Sequence, residues 1–306
     1  MVWLKSNRFV ERLSWATSQN VWYAGFVGTD RTNASGEYRS APGVRVERFD
    51  CIESTSGHAR ALIATGMIGD GARVFVARTQ TGGIGRFKRA WSSPEGGLWM
   101  TLAWPTQEQE LAALLDGLGL RVGVACLRVV QRAFEGHAEN PHVRLKWPND
   151  VMVHGRKVLG VLTELVHGPA PMARPWLLVG VGLNANVRVE LLDEPVRSHA
   201  TSLHTELGRE VSLDALERAL LDELCGALSG SGTPRELLSE AVASLHGLGR
   251  DTTVSLPDGT RVSGVLTGLN DHGVAVLDVD GRVFVPPLGA VIMSDVPLRR
   301  DAPASE

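Results

Sequence analysis

Between residues 44 and 186 the chain alternates short apolar runs, rich in β-branched residues, with longer windows in which apolar residues recur at helical spacing. The runs predict strands at 73–77, 97–103, 143–147, 157–166 and 176–183. The windows predict helices from residue 56 to about residue 68 and from about residue 107 to residue 134, the second broken near Gly117 and Gly119. The tip His154-Gly155-Arg156 joins two apolar strands and predicts a hairpin. The alternation predicts an α/β core.

Two further helices are predicted by their caps and spacing. Ser212 is a suitable N-cap for a helix whose apolar residues share one face, namely Leu213, Leu216, Leu220, Leu221 and Leu224. The other begins with the capping box Thr233-Pro234-Arg235-Glu236, which has Pro at the first helical position. Both helices therefore follow the alternating part of the chain.

The pattern changes after Gly249 to short β runs at 252–256, 261–266, 274–279 and 282–285. The turns between them carry Asp258-Gly259, Asp271-His272-Gly273 and Asp280-Gly281. This spacing predicts a small all-β barrel of about fifty residues. We therefore divide the chain into an N-terminal extension of unclear structure (1–46), an α/β domain (47–247), a barrel (248–297) and a tail (298–306).

Composition narrows the class of protein. The chain has 306 residues, 43% hydrophobic and 21% charged, which is enough to bury a full core and excludes disordered and fibrous classes. A formal net charge of −3 offers no general attraction to nucleic acid. Its three separated cysteines form no CxxC pair, so buried, reduced thiols are expected. No run approaches the ~20 apolar residues that span a membrane, so we expect a cytoplasmic protein with no membrane partner.

The run Lys146-Trp147-Pro148-Asn149-Asp150 follows a predicted strand and brings ammonium, amide and carboxylate groups close together. Pro148 fixes its own φ and biases Trp147 toward extended geometry, so the strand should stop there. Asn149 and Asp150 then favour a tight turn. Alone, the pattern is typical of an ordinary turn, although its polar groups also suit an anionic ligand or a metal-bound phosphate.

A second segment, from Gln80 to Trp91, reads Gln-Thr-Gly-Gly-Ile-Gly-Arg-Phe-Lys-Arg-Ala-Trp. Its glycines permit close approach of the backbone to a ligand, and its three cations suit a phosphate. The same composition is also typical of a glycine-rich surface loop with solvated charges. Other common catalytic signatures are absent from the sequence, including the Walker A loop, the HExxH helix, the GxSxG elbow and the Rossmann fingerprint.

Five motifs, in sequence order, resemble those of the biotin protein ligases. They are Glu53-Ser54-Thr55, the glycine–arginine loop through Trp91 to Leu98, the run from Lys146 to Asp150, Gly155-Arg156-Lys157-Val158-Leu159-Gly160-Val161-Leu162 with Glu164, and Val179-Gly180-Val181-Gly182-Leu183-Asn184. The resemblance covers residues 44–295. Lipoate ligases share the catalytic fold, but the run from Lys146 to Asp150 resembles the biotin branch.

This resemblance implies an α/β (α+β) fold: a mixed-sheet, biotin/lipoate ligase-like catalytic domain followed by a small SH3-like β-barrel. It implies that ATP activates the biotin carboxylate with the help of Mg²⁺, releasing pyrophosphate. The product, biotinyl-5'-AMP, then passes biotin to a lysine of a biotin carboxyl carrier protein. Residues 1–46 lack the pattern of a winged helix, so no DNA partner is expected. Whether the protein is a homodimer is left open.

Site residues are carried over from the resemblance position by position. It implies catalytic roles for Lys157, Arg86 and Asp150. It implies that biotin is bound by Ser54, Thr55, Ser56, Gln80, Gly83, Ile84, Gly85, Arg86, Lys157, Gly160, Leu162 and Gly182. It implies that ATP is bound by Arg86, Arg89, Trp91, Lys146, Asn149, Lys157 and Asn184. Asn149 and Asn184 would also be Mg²⁺ ligands, whereas Lys146 and Trp91 have equally plausible structural roles.

The sequence departs from the family pattern at several positions. Ile84 replaces the first arginine of the loop, and Lys88 replaces its last glycine. In the barrel, the usual Gly-Glu turn is Gly289-Ala290, which weakens the expectation that this domain completes the nucleotide site. Three functions therefore stay open: a biotin protein ligase, a ligase of a related acid such as lipoate or octanoate, and a non-catalytic, biotin-binding regulatory protein.

Overall fold

The computed structural model describes residues 44–137, 142–170, 173–230, 234–287 and 289–293. Within them, seven strands form a mixed sheet in the order β1-β2-β3-β7-β6-β5-β4. The strands are β1 (Arg45–Ile52), β2 (Arg73–Gln80), β3 (Leu98–Pro105), β4 (Val143–Lys146), β5 (Asp150–Val153), β6 (Arg156–His167) and β7 (Pro175–Leu183). β1 and β2 pair in parallel, and the other neighbours are antiparallel. The predicted α/β class is confirmed.

Helices cover both faces of this sheet, which explains the continuous apolar runs of its central strands. The described helices are α1 (Thr55–Ala64), α2 (Leu111–Leu115), α3 (Leu118–Ala133), α4 (Val196–His199), α5 (Leu203–Leu207), α6 (Leu213–Leu228) and α7 (Pro234–Ala243). Because side chains alternate along a strand, Phe75 packs with Ile63 of α1, while its neighbours Val74 and Val76 belong to a larger core with α3, α6 and α7. The strands therefore lie between two helical layers.

The helix predictions hold in position but differ at their ends. α1 ends at Ala64, earlier than the predicted residue 68, and Gly66 follows in a left-handed conformation with φ +70°. The predicted break in the second helix is confirmed, since α2 and α3 are separated at Gly117, which has φ +61°. Ser212 caps α6 as predicted, accepting a hydrogen bond from the Ala215 amide. Thr233 of the predicted capping box lies outside the described residues.

The C-terminal runs form an all-β unit, as predicted, and its strands make a separate antiparallel sheet. Its strands are β8 (Asp251–Ser255), β9 (Arg261–Leu269), β10 (Ala275–Val279), β11 (Arg282–Phe284) and β12 (Val291–Ile292), in the order β11-β10-β9-β8-β12. Their small core also takes in Trp147 and Leu245, so it is continuous with the α/β part. The domain boundaries remain predictions, and residues 1–43 of the extension and the tail at 298–306 lie outside the described residues.

None of the helices in the described ranges is long and apolar enough to cross a membrane.

Leu220 of α6 is completely buried in the core between α3 and α6, so truncating its side chain should strongly destabilise the protein. Leu220→Ala is expected to lower the free energy of unfolding by about 2–5 kcal/mol, because it leaves a cavity in the main core. Leu191→Ala is the matched control, since Leu191 is 79% exposed and its truncation should change stability by less than about 0.5 kcal/mol. Urea denaturation of both variants measures the difference, and equal losses would contradict the assignment.

Candidate functional site

The turn between β4 and β5 places Asp150 against a lysine from the next hairpin. Lys146 ends β4 and lies opposite Asp150, which begins β5. Asp150 is in turn the cross-strand neighbour of Gly160 on β6. Its carboxylate Oδ1 lies 2.7 Å from Lys157 Nζ, and both side chains are partly exposed. The two motifs that carry Asp150 and Lys157 therefore meet in one ion pair.

An irregularity in the β5–β6 pairing decides which way Lys157 points. The register shifts between Val151, which pairs with Leu159, and Met152, which pairs with Lys157. In a regular strand, residues three apart point to opposite faces, but a β-bulge changes the face. A Cβ built at Gly160 would accordingly lie 3.0 Å from Lys157 Nζ. The bulge brings the ammonium group over Gly160.

Gly160 and Gly182 form a flat surface that is covered by the indole of Trp91. The two glycines are direct cross-strand neighbours on β6 and β7. A Cβ at Gly160 would lie 2.9 Å from the indole ring, and one at Gly182 would lie 2.5 Å from its Nε1. Any side chain at either position would displace the indole, so we call Gly160 and Gly182 the glycine surface.

Trp91 is also held by a cation. Lys157 Nζ lies 4.8 Å from the centroid of the Trp91 ring, which is a favourable cation–π distance. The indole Nε1 is buried and has no hydrogen-bond partner among the described residues. Because a buried donor without a partner is costly, the indole N–H makes this ring position unfavourable, and movement of the ring would relieve that cost.

A buried polar cluster borders the glycine surface. The Thr55 amide donates to Gln80 Oε1 at 2.8 Å, and Gln80 Nε2 donates to Ser93 Oγ at 2.8 Å. The hydroxyls of Thr55 and Ser56 lie 2.8 and 2.9 Å from the hydroxyl of Thr101. Such hydroxyl and amide groups are suited to orienting a small polar head group in an otherwise apolar site.

Ser54 is adjacent to this cluster, and its Oγ accepts the Gly57 amide and caps α1, so its contact with biotin stays a prediction. Thr101 and Ser93 were not among the predicted site residues. Thr101 is fully buried on β3 opposite Gly180, next to the glycine surface. A single threonine within the apolar run at 97–103 was the available sequence signal.

The loop from Gly83 to Trp91 is a tight excursion closed by main-chain hydrogen bonds. The Gly85 amide donates to the Arg89 carbonyl and the Trp91 amide to the Gly83 carbonyl, each at 2.8 Å. At its tip Phe87 has φ +56° and is 56% exposed. The guanidinium carbons of Arg86 and Arg89 lie 5.3 and 5.9 Å from the Phe87 ring. The loop therefore presents two cations and an exposed aromatic ring together.

Arg86 reaches both the β4–β5 turn and the C-terminal sheet. Its Nη1 lies 3.4 Å from Asn149 Oδ1, and its Nη2 lies 3.5 Å from the carbonyls of Gly289 and Ala290. Burial lowers the pKa of Arg86, an effect partly offset by the nearby Asp150 charge. An arginine remains protonated at neutral pH. The Gly289-Ala290 turn thus contacts the site through its backbone, although it lacks the acidic side chain usual in the family.

The remaining predicted residues lie at varying distances from this centre. Arg89 and Ile84 are exposed on the loop, and Leu162 is half-buried on β6 beside Gly180. Lys146 is buried. The pKa of His246 is lowered mainly by the burial of that histidine and next by the charge of Lys146. Asn184 is buried too, and its Nδ2 donates to the Thr201 carbonyl at 3.0 Å. The structure therefore brings Arg86, Trp91, Asn149, Asp150 and Lys157 together.

Comparisons with known proteins agree with the fold and the motifs. The Biotin/lipoate A/B protein ligase family matches residues 69–180. A biotin--[acetyl-CoA-carboxylase] ligase of Mycobacterium tuberculosis is 32% identical over 247 residues, which are 78% of this chain and 85% of the relative. One from Paracoccus denitrificans is 30% identical over 252 residues, covering 76% of this chain and 95% of the relative.

Solved structures show the same fold. The biotin protein ligase from Aquifex aeolicus, in complex with biotin and ATP, superposes with a TM-score of 0.67 at 24% identity. The match covers 81% of this chain and 98% of that one. The predicted fold and the resemblance are thereby confirmed. By these sequence matches, the chain belongs to the biotin protein ligases of the Biotin/lipoate A/B protein ligase family.

Proposed function

We propose that the chain is an ATP-dependent biotin protein ligase that forms biotinyl-5'-AMP and transfers biotin to a lysine of a biotin carboxyl carrier protein. The observation that carries the proposal is the position of Lys157, whose ammonium group lies beside Asp150 and over the glycine surface. Arg86 supplies a second cation next to Asn149. Family membership gives this arrangement its substrate class.

In the proposed first step, a biotin carboxylate oxygen attacks the α-phosphorus of ATP. A bond forms between the carboxylate oxygen and the α-phosphorus. The bond between the α-phosphorus and the oxygen that bridges to the β-phosphate breaks, and pyrophosphate leaves. Both reactants are anions, so fixed cations are needed to bring them together and to stabilise the charge on the departing group. Lys157 acts on the carboxylate and the α-phosphate, while Arg86 holds the adenylate.

In the second step, the neutral amine of the acceptor lysine attacks the biotinyl carbonyl. An amide bond forms, the acyl carbon–oxygen bond of the mixed anhydride breaks so that AMP leaves, and the proton of the amine passes to water. Asp150 lies next to Lys157 and is the carboxylate assigned to orient the incoming lysine. The protein proposed to receive biotin is of the class named for the relatives, an acetyl-CoA carboxylase.

Biotin is proposed to bind along the glycine surface, with its polar head at the Thr55, Ser56 and Gln80 cluster. A Cβ at Gly180 would lie 2.9 Å from Ser56 Oγ, so the polar cluster and the glycines form one continuous lining. Trp91 covers part of this lining, and its indole therefore moves when biotin binds. Once displaced, the ring face is free to stack on the adenine of ATP.

Mg²⁺ is proposed to enter with ATP. The described residues hold no group of three His, Cys, Asp or Glu side chains that would bind a metal by themselves. Nucleotide-bound Mg²⁺ typically takes substrate phosphates, waters and one or two protein oxygens, and the amide oxygens of Asn149 and Asn184 are of that kind. For Asn149 to serve, its Oδ1 would exchange the Arg86 guanidinium for the ion. The bound ion would neutralise phosphate charge.

Biotin-dependent exchange of pyrophosphate into ATP tests the function. The purified chain is expected to catalyse exchange with biotin at least about tenfold faster than with lipoate, octanoate or no acid. Faster exchange with lipoate or octanoate would assign a related acid as the substrate. Tight biotin binding without exchange would instead support a non-catalytic, biotin-binding protein.

A further inference from the structure

Glu206, on α5, lies outside every motif of the site and is nearly buried, with 6% of its side chain exposed. Its Oε2 lies 2.8 Å from His154 Nδ1, and its Oε1 accepts from Arg156 Nη2 at 2.7 Å. The hydroxyl of Thr201 also donates to Oε1. One carboxylate thus joins the tip of the β5–β6 hairpin to the segment that precedes α5.

Both of these elements hold Lys157. His154 and Arg156 belong to the tip that leads directly into Lys157. On the other side, the Thr201 amide donates to the Lys157 carbonyl at 2.8 Å, and Ala200 forms a β-bridge with Lys157. Lys157 therefore lies between the two anchoring points of Glu206.

The same segment supports a second site residue. The Thr201 carbonyl accepts from Asn184 Nδ2 at 3.0 Å, and the Leu203 amide donates to the Asn184 carbonyl at 2.9 Å. A shift of the segment at 200–203 would consequently be felt at both Lys157 and Asn184. Glu206 is the charged group that links this segment to the hairpin.

The hairpin tip depends on such a link. His154 has φ +48°, in the left-handed region that residues other than glycine rarely adopt. Such a conformation persists only where the surroundings hold it. Burial disfavours the charged form of Glu206, but hydrogen bonds from Thr201 and His154 and the Arg156 charge together lower its pKa below the usual range. The carboxylate is therefore ionised at neutral pH and holds the tip electrostatically.

We propose that Glu206 is a positioning residue for Lys157. It fixes the hairpin tip on one side and the segment at 200–201 on the other, so that Lys157 Nζ stays beside Asp150 and over Gly160. The inference rests on the proposed function, in which Lys157 stabilises the transition state of adenylation.

The test is a double-mutant cycle between Glu206→Gln and Lys157→Ala in the exchange assay. Glutamine has the same shape as glutamate but lacks its charge and one of its two acceptor oxygens. At least one of the donors His154, Arg156 and Thr201 therefore loses its hydrogen bond. In the wild-type background, kcat is expected to fall about tenfold while the KM for ATP changes by less than about twofold, because small misplacements of a catalytic group slow the chemical step. In the Lys157→Ala background, Glu206→Gln should cost about threefold or less, because only the smaller effect through Asn184 remains.

Glu223→Gln is the matched control. Glu223 is 17% exposed and pairs with Arg128 and Arg132 between α3 and α6, away from the hairpin. The Glu223→Gln variant loses a comparable set of ion pairs, yet its kcat should stay within about twofold of the wild-type value. His154→Ala provides a milder second variant if Glu206→Gln folds poorly, since it leaves the Arg156 and Thr201 contacts in place.

Hydrogen exchange separates this inference from the proposed function. The Thr201 amide, which donates to Lys157, should exchange about tenfold faster in Glu206→Gln than in wild type or Glu223→Gln. Unchanged amide exchange, or equal losses of kcat with and without Lys157, would overturn the positioning role. Absence of biotin-dependent exchange in the wild-type chain would overturn the proposed function alone, and the amide measurement would still decide the role of Glu206.

Discussion

Lys157→Ala is expected to slow biotin-dependent pyrophosphate exchange by about 100- to 1,000-fold, the usual effect of removing one preorganised group that stabilises developing charge. The reason is geometric, since the ammonium group is held between Asp150 and the glycine surface, where the carboxylate and the α-phosphate are proposed to meet. The measurement is the initial rate of exchange at saturating biotin and ATP.

Lys88→Ala is the control for this variant, because Lys88 is an exposed lysine on the neighbouring loop. Its loss should change the rate by less than about threefold, as expected for a screened surface charge. The Lys157–Asp150 pair is partly exposed, so its removal should alter the free energy of unfolding by about 1 kcal/mol or less. Full activity of Lys157→Ala would defeat its assignment, and equal losses in both variants would indicate a general charge effect.

Local patterns in the sequence were sufficient to predict the main architecture. Strands between two helical layers give continuous apolar runs, which is why β2, β3 and β7 were found. Residues with strong backbone preferences located the interruptions, as at Gly117 between α2 and α3. β1 was not among the predicted strands, because it lies at the sheet edge and is only partly buried, with charged residues along its length.

The details that orient the site could not be predicted in this way. The bulge that places Lys157 over Gly160 depends on how β5 pairs with β6. No residue in either strand indicates a bulge at this position. Glu206 acts from a helix about fifty residues further along the chain, through contacts that exist only in the folded protein. The contact from Arg86 to Gly289 and Ala290 uses backbone carbonyls, which every residue possesses. Tertiary pairing, rather than residue type, determines these features.

Gly182→Val is expected to weaken biotin binding on the order of 100-fold, because its side chain would fill the glycine surface. A Cβ at this position already lies 2.5 Å from Trp91 Nε1, and the two methyl groups of valine extend further into the same space. A steric penalty of about 2–3 kcal/mol corresponds to this change in Kd. Valine is well tolerated in strands, so the sheet should form normally. Titration calorimetry with biotin in the absence of ATP measures the effect.

A second variant separates the two reasons for glycine at 182. If glycine is required only because the Trp91 indole packs there, truncating the indole should remove the conflict, and the double variant Gly182→Val/Trp91→Ala should bind biotin as well as Trp91→Ala does. If biotin itself occupies the surface, the double variant should remain about 100-fold weaker than Trp91→Ala. We expect the second result, because a displaced indole leaves valine and biotin competing for the same space. Restored affinity in the double variant would place the biotin site elsewhere.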